Sequence, residues 1–221
     1  MSAARRPLRV AVVEDEAMMR GLVLALLRAQ PGIEVVADAA GQATALAAIP
    51  PGSADVAMLD IELEDGNGIA LGRALQERDP RLRILLVSSH NLLALVRSIS
   101  AGAPTAWSYL SKRSSAQPGE LVRALSAVAQ GRVVIDPALV SRSVPRSDTP
   151  LALLSAAQFR VLQLVAEGRG NGAVAAELGI TPKAVEAHLT SIYKRLDLPE
   201  GANHRVAAVL EFLRQSVRPG A

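Results

Sequence analysis

Val56-Ala57-Met58-Leu59-Asp60 is the stretch that decides the fold: four apolar residues run straight into a carboxylate. A short apolar run bounded by turn signals suits a strand buried on both faces of a parallel sheet. Asp65-Gly66-Asn67-Gly68, just beyond, reads as a turn. In open α/β sheets ligands bind outside the carboxyl ends of the strands, so Asp60 stands where such folds place their chemistry. A single Asp there is also what a cap or a turn requires, and the neighbouring strands decide between the two.

Working outward, residues 8–13 form a first apolar, β-branched strand that ends in Glu14-Asp15-Glu16. Met18, Met19, Leu22, Val23, Leu26 and Leu27 then recur at helical spacing and stop near Pro31-Gly32. Residues 33–36 read as a second strand and 41–49 as an Ala-rich helix closed by Pro50-Pro51-Gly52. After the Asp60 strand, Ile69, Leu71 and Leu75 mark a helix that ends before Pro80. Residues 82–87 form a fourth strand, followed by Ser88-Ser89-His90. Residues 92–99 read as a helix, 106–110 as a fifth strand followed by Ser111-Lys112, and 120–129 as a final helix. Five strands alternating with five helices imply a flavodoxin-like, doubly wound parallel sheet.

The whole chain narrows the classes. Half the residues are apolar, enough for a sizeable core. The absence of cysteine excludes a disulfide scaffold and a thiolate metal site. No apolar run reaches the length of a membrane span, and the basic start is followed by too short an apolar run for a signal peptide. A cytoplasmic protein is expected. No G-x-G-x-x-G or G-x-x-x-x-G-K pattern occurs, which disfavours a nucleotide-binding enzyme. The formal charge of +3 splits into +1 up to Pro150 and +2 beyond, mild support for nucleic-acid contact in the second part.

Four strand ends thus deliver polar groups to one edge: Glu14 and Asp15, Asp60, Ser88, and Lys112. Clustered carboxylates repel, and a divalent cation relieves them. Mg²⁺ accepts one or two carboxylates with waters and phosphate oxygens. Lys112 adds a point charge for a phosphate, Ser88 a hydroxyl donor, and Asp60 a carboxylate nucleophile. Four such groups at successive strand ends are hard to assign to capping, and together they suit a phosphoryl-transfer site.

These residues resemble the receiver domain of two-component response regulators, over residues 7–130. The resemblance implies that Asp60 accepts the phosphoryl group, that Ser88 and Tyr109 are the switch residues, and that Lys112 contacts the phosphoryl group. It implies Mg²⁺ held by Glu14, Asp15, Asp60 and the backbone carbonyl of Glu62. Three departures stand out. Glu64 replaces a usual proline, Arg113 follows the lysine where proline or aspartate is frequent, and the segment 104–108 is long. Trp107 is expected to do no more than pack.

Residues 131–151, rich in Pro and Ser and without clear periodicity, read as a linker with a short helix near 137–140. Beyond it, Ser155 and Thr181 cap helices, with Pro182 in a first turn and Gly179 between two short helices, a helix-turn-helix pattern. Leu154-Ser155, Val161-Leu162, Ala166-Glu167-Gly168, Asn171, Ala175, Leu178-Gly179-Ile180, Val185, His188, Ile192 and Arg195-Leu196 closely resemble the LuxR-type helix-turn-helix of NarL-type regulators. This all-α domain is expected over 152–217, with departures at Gln158, where glutamate is usual, and Glu186, where a basic residue is common. With Val185, Leu189, Ile192 and Leu196 facing the core, Lys183, Glu186, Ala187, Thr190 and Lys194 form the outward stripe expected to meet DNA.

The combined resemblance implies a non-enzymatic bacterial transcription factor. Its expected partners are a sensor histidine kinase, promoter DNA and, when active, a second copy of itself. A phosphorylation-independent DNA-binding regulator, an aspartate-nucleophile phosphatase and a protein-binding adaptor are the rival readings.

Overall fold

The computed structural model describes residues 6–89, 107–141, 143–198 and 203–217. They form two compact units that divide between Gly131 and Arg132. The first unit comprises β1 (Leu8–Val13), α1 (Ala17–Arg28), β2 (Ile33–Ala39), α2 (Gln42–Ala48), β3 (Val56–Asp60), β4 (Glu62–Leu63), β5 (Gly66–Asn67), α3 (Gly68–Arg78), β6 (Arg83–Ser88), β7 (Ser108–Ser111), α4 (Lys112–Ser115) and α5 (Pro118–Ala129). The helix expected over 92–99 lies outside the described residues.

Five of these strands pair in parallel in the order β2-β1-β3-β6-β7, the flavodoxin-like arrangement. Residues 10–13, 56–59 and 84–87 are buried throughout, which is why the three central strands carry unbroken apolar runs. Helices α1 and α5 pack together over one face, and α2 and α3 over the other. At the amino ends of the strands, the Asp55 carboxylate accepts from the Arg9 backbone N–H at 2.9 Å and from its guanidinium at 2.8 Å, tying β3 to β1.

Trp107 packs, as expected. Its indole N–H donates to Gln76 Oε1 at 2.7 Å, and Gln76 in turn donates to the Leu82 carbonyl at 2.8 Å. The ring lies over Gly72, where an added Cβ would come within 3.0 Å of it. The turn expected at 65–68 is the end of an antiparallel hairpin made by β4 and β5.

The second unit contains α6 (Pro137–Val140), β8 (Val144–Pro145), a 3₁₀ turn (Pro150–Leu153), α7 (Ala156–Ala166), α8 (Asn171–Leu178), α9 (Pro182–Arg195), α10 (His204–Gln215) and β9 (Ser216–Val217). Residues 131–151 differ from the expected linker. Val134, Ile135, Leu139, Val140 and Leu151 are buried. The Ile135 N–H donates to the Ala166 carbonyl at 2.8 Å, the Leu151 N–H donates to Gln215 Oε1 at 2.9 Å, and β8 pairs with β9. The segment wraps the helices instead of forming a long element, so its apolar residues follow neither the helical nor the strand period.

Candidate functional site

Strand register assembles the site. Val13 is level with Leu59, Asp60 with Val87, and Ser88 with Ser111. Glu14, Asp60, Ser88 and Lys112 therefore emerge at one edge of the sheet. Glu14, Asp60 and Ser88 are almost completely buried there.

Lys112 is the hub. Its Nζ donates to Glu14 Oε1 at 2.7 Å, lies 2.8 Å from Asp60 Oδ2 and 3.6 Å from Glu16 Oε2. The Asp60 contact is one of charge, not of an aligned hydrogen bond, since Oδ2 is a buried oxygen without a donor in hydrogen-bond geometry. Asp60 Oδ1 accepts from the Glu62 N–H at 3.1 Å. Burial works to lower the Lys112 ammonium, but its contacts with Asp60 and Glu14 outweigh that and hold it above the ordinary lysine range. Burial, helped by the Asp60 charge and opposed by Lys112, pushes Glu14 up to about 7.

Glu14, Asp15 and Asp60 offer oxygens that all lie within 4.8 Å of one another. One ammonium cannot balance three carboxylates. An all-oxygen set of this kind suits a hard divalent cation such as Mg²⁺.

Tyr109 is enclosed on β7, three residues before Lys112, and only 1% exposed. Arg113 continues the chain into the single turn of α4, which Ser111 caps by accepting from the Ser114 N–H at 3.1 Å. Several contributors carried little signal in the sequence. The Arg20 guanidinium donates to the carbonyls of Glu14 and Asp15 at 2.7 and 3.1 Å, bracing the β1 loop. The Asp65 carboxylate accepts from the Gln42 and Ala43 N–H groups at 2.7 and 3.1 Å and so caps α2 from another loop. These backbone bonds, Gln42 first, hold its carboxyl below the usual range.

In the second unit, Gly179 takes the left-handed conformation (φ 65°) that lets α8 turn into α9. The Thr181 hydroxyl caps α9, accepting from the Ala184 N–H at 3.1 Å. Val185, Leu189, Ile192 and Leu196 are buried, while Lys183, Glu186, Ala187, Thr190 and Lys194 are all exposed along one side of α9. The Thr190 hydroxyl donates to the Glu186 carbonyl at 3.0 Å, and among the described residues no ion pair engages the Glu186 carboxylate. Gln158 completes a capping box: its N–H donates to Ser155 Oγ at 3.2 Å while its Oε1 accepts from the Ser155 N–H at 3.0 Å. Its amide also donates to Ser191 Oγ at 2.9 Å, fastening α7 to α9, a contact that a carboxylate in its place could make only as acceptor. Arg205 holds α10 to the start of α8, donating to Asn171 Oδ1 at 2.8 Å and to the Arg169 carbonyl.

Residues 10–126 match the response regulator receiver domain, and residues 152–211 match the luxR family of bacterial regulatory proteins. A probable transcriptional regulatory protein NarL of Mycobacterium tuberculosis H37Rv is 33% identical over 212 residues, 94% of each chain. The DNA-binding transcriptional activator DevR/DosR of the same strain is 32% identical, covering 96% of this chain and 98% of its own. Among solved structures, a LuxR-family response regulator from Aurantimonas sp. is 29% identical with a TM-score of 0.54, over 61% of this chain and 94% of its own. RcsB of Salmonella typhimurium shares the fold at 20% identity and a TM-score of 0.53, over 95% and 98% of the two chains.

Proposed function

Since the chain belongs to the response regulators that join a receiver domain to a LuxR-type helix-turn-helix domain, we propose that it is a transcription factor switched by phosphorylation of Asp60. A sensor histidine kinase is the phosphoryl donor, promoter DNA is the target, and the active form is a homodimer working in the cytoplasm. The role is regulatory and not enzymatic. Among the described residues no helix is long and apolar enough to cross a membrane.

The observation that carries this reading is the Asp60 carboxylate: buried at a strand end, facing Lys112 at 2.8 Å, with Glu14 and Asp15 beside it. A carboxylate oxygen of Asp60 forms the new O–P bond as the donor's N–P bond breaks. Glu14, Asp15, Asp60 and the Glu62 carbonyl would hold Mg²⁺, which when bound supplies positive charge against the carboxylates and the phosphoryl oxygens. Lys112 exchanges its Asp60 contact for the phosphoryl oxygens, and the Ser88 hydroxyl donates to them. Tyr109 relays the change along β7 to the far surface of the receiver. In the second domain Lys183 and Lys194 meet phosphates, and Glu186, Ala187 and Thr190 face base edges in the major groove.

Incubation with a small phosphodonor and Mg²⁺ should add one phosphoryl group per chain by intact mass. Asp60→Asn should add none. Stoichiometric labelling of that variant would remove Asp60 from its role.

A further inference from the structure

Glu64 occupies the first position of the two-residue turn between β4 and β5, where the receiver pattern usually carries proline. Its backbone N–H donates to Asp15 Oδ2 at 2.8 Å. Proline has no N–H to give. The bond therefore exists only because this chain departs from the pattern.

The three carboxylates of the site are held unequally. Glu14 and Asp60 both touch Lys112. Asp15 is only partly buried, and among the described residues the Glu64 amide is the one donor to its carboxylate. An unheld carboxylate at a loop end samples several rotamers, and ordering it opposes cation binding. An amide bonded to an ionised oxygen is among the stronger neutral-donor contacts. It engages Oδ2 and leaves Oδ1 open to a cation.

The amide is itself on a fixed mount. Asp65 accepts from the Gln42 and Ala43 N–H groups, and the Asn67 N–H donates to Gln42 Oε1 at 3.2 Å, so the second residue of the turn and β5 after it are fastened to the start of α2. The next residue is pinned as well, since the Gly68 N–H donates to the Ile61 carbonyl at 3.1 Å.

Resting on the metal reading above, we propose that the Glu64 backbone amide is a positioning group that pre-orients Asp15 for the divalent cation. The main chain performs this, so the identity of the side chain at position 64 matters only in not being proline. Proline is otherwise admissible there. Among the described residues Asp197 is the one non-glycine with positive φ, so Glu64 lies outside the left-handed region that proline cannot enter. Leu63 before it is in a strand, as residues preceding proline prefer.

The test is a calorimetric Mg²⁺ titration of the full chain and of two variants, with circular dichroism to confirm folding. Glu64→Pro deletes the amide and should weaken Mg²⁺ about three- to tenfold, the effect of one hydrogen bond to a charged group at a partly exposed site. Glu64→Ala keeps the amide and should stay within about twofold of the parent, since only a solvent-screened, exposed charge is lost. Equal affinities for Glu64→Pro and the parent, or equal weakening by Glu64→Ala and Glu64→Pro, would overturn the proposal. Amide hydrogen exchange gives a readout that does not depend on the proline variant folding. The Glu64 amide should be protected in the parent and lose that protection in Asp15→Ala; unchanged protection overturns the proposal. A parent chain that binds no Mg²⁺ defeats the metal reading itself, an outcome distinct from any change at position 64.

Discussion

Gly68 packs so closely on Asp60 that a Cβ placed on it would lie 1.9 Å from the Asp60 carbonyl oxygen. The first turn of α3 thus runs directly over the end of β3, and no side-chain rotation can relieve a clash with main chain. Gly68→Ala should push α3 away from the sheet and destabilise the receiver by about 1–3 kcal/mol, as overpacked positions do. Urea denaturation reads this directly, and phosphorylation of Asp60 should slow in parallel. An unchanged denaturation midpoint would show that the loop yields where the geometry says it cannot.

Metal affinity should follow the protonation of Glu14, whose carboxyl is pushed from an ordinary 4.5 up to about 7, by burial above all. A carboxyl raised on folding favours the folded state in its protonated form. Its contribution is complete below about 4.5 and is lost as pH rises to about 7. Mg²⁺ requires the ionised form, so its affinity should climb across that window by at most about tenfold per pH unit for one proton, then level off. Calorimetry at several pH values checks the slope. Glu14→Gln should flatten it, and a steep slope surviving in that variant would place the titrating proton elsewhere.

The wrapping segment belongs to the DNA-binding unit. A fragment of residues 132–221 should fold with a cooperative thermal transition. A fragment of 152–221 loses the buried Val134, Ile135, Leu139, Val140 and Leu151, and the strand partner of β9. At roughly 1.5–3 kcal/mol per buried aliphatic side chain, that deletion should remove about 3 kcal/mol or more even after partial collapse. Equal melting temperatures for the two fragments would return 131–151 to the status of a plain tether.

On α9, Lys194 and Glu186 should fail in different ways. On the proposed role of Lys194 at a phosphate, Lys194→Ala should weaken all DNA sites alike and flatten the salt dependence of binding. Glu186 is exposed, and its carboxylate pairs with no cation among the described residues, so it is available to accept from the N4 amino group of a cytosine. Glu186→Gln should change the base preferred at one position per half-site by about 1–3 kcal/mol. Selection from randomised DNA is the measurement, and identical motifs for parent and variant would end the base-reading role.

Much of this architecture is legible in the sequence. The apolar runs within 8–13, 56–60 and 82–87 read as strands covered on both faces, and their alternation with helical periods implies a parallel, doubly wound sheet. Because every such strand points the same way, the residue that ends each run must reach the same edge. Sequence position alone therefore groups Glu14, Asp60, Ser88 and Lys112. The outward stripe of α9 followed likewise from the helical period, which relates residues three and four apart without reference to the rest of the chain.

What the sequence did not contain was every relation set by contact between distant segments. The Glu64 amide on Asp15, the Asp65 cap on α2, the brace of Arg20 and the approach of Gly68 to the Asp60 carbonyl join loops whose composition has no period and whose meeting depends on strand register. The segment 131–151 reads as a tether because its three prolines and three serines interrupt any period, yet six of its apolar side chains are buried and β8 within it pairs with β9. Local periodicity reports which face of an element is covered. Only the tertiary structure decides what covers it, because burial and hydrogen bonding between loops are settled by packing in space and leave no repeat along the chain.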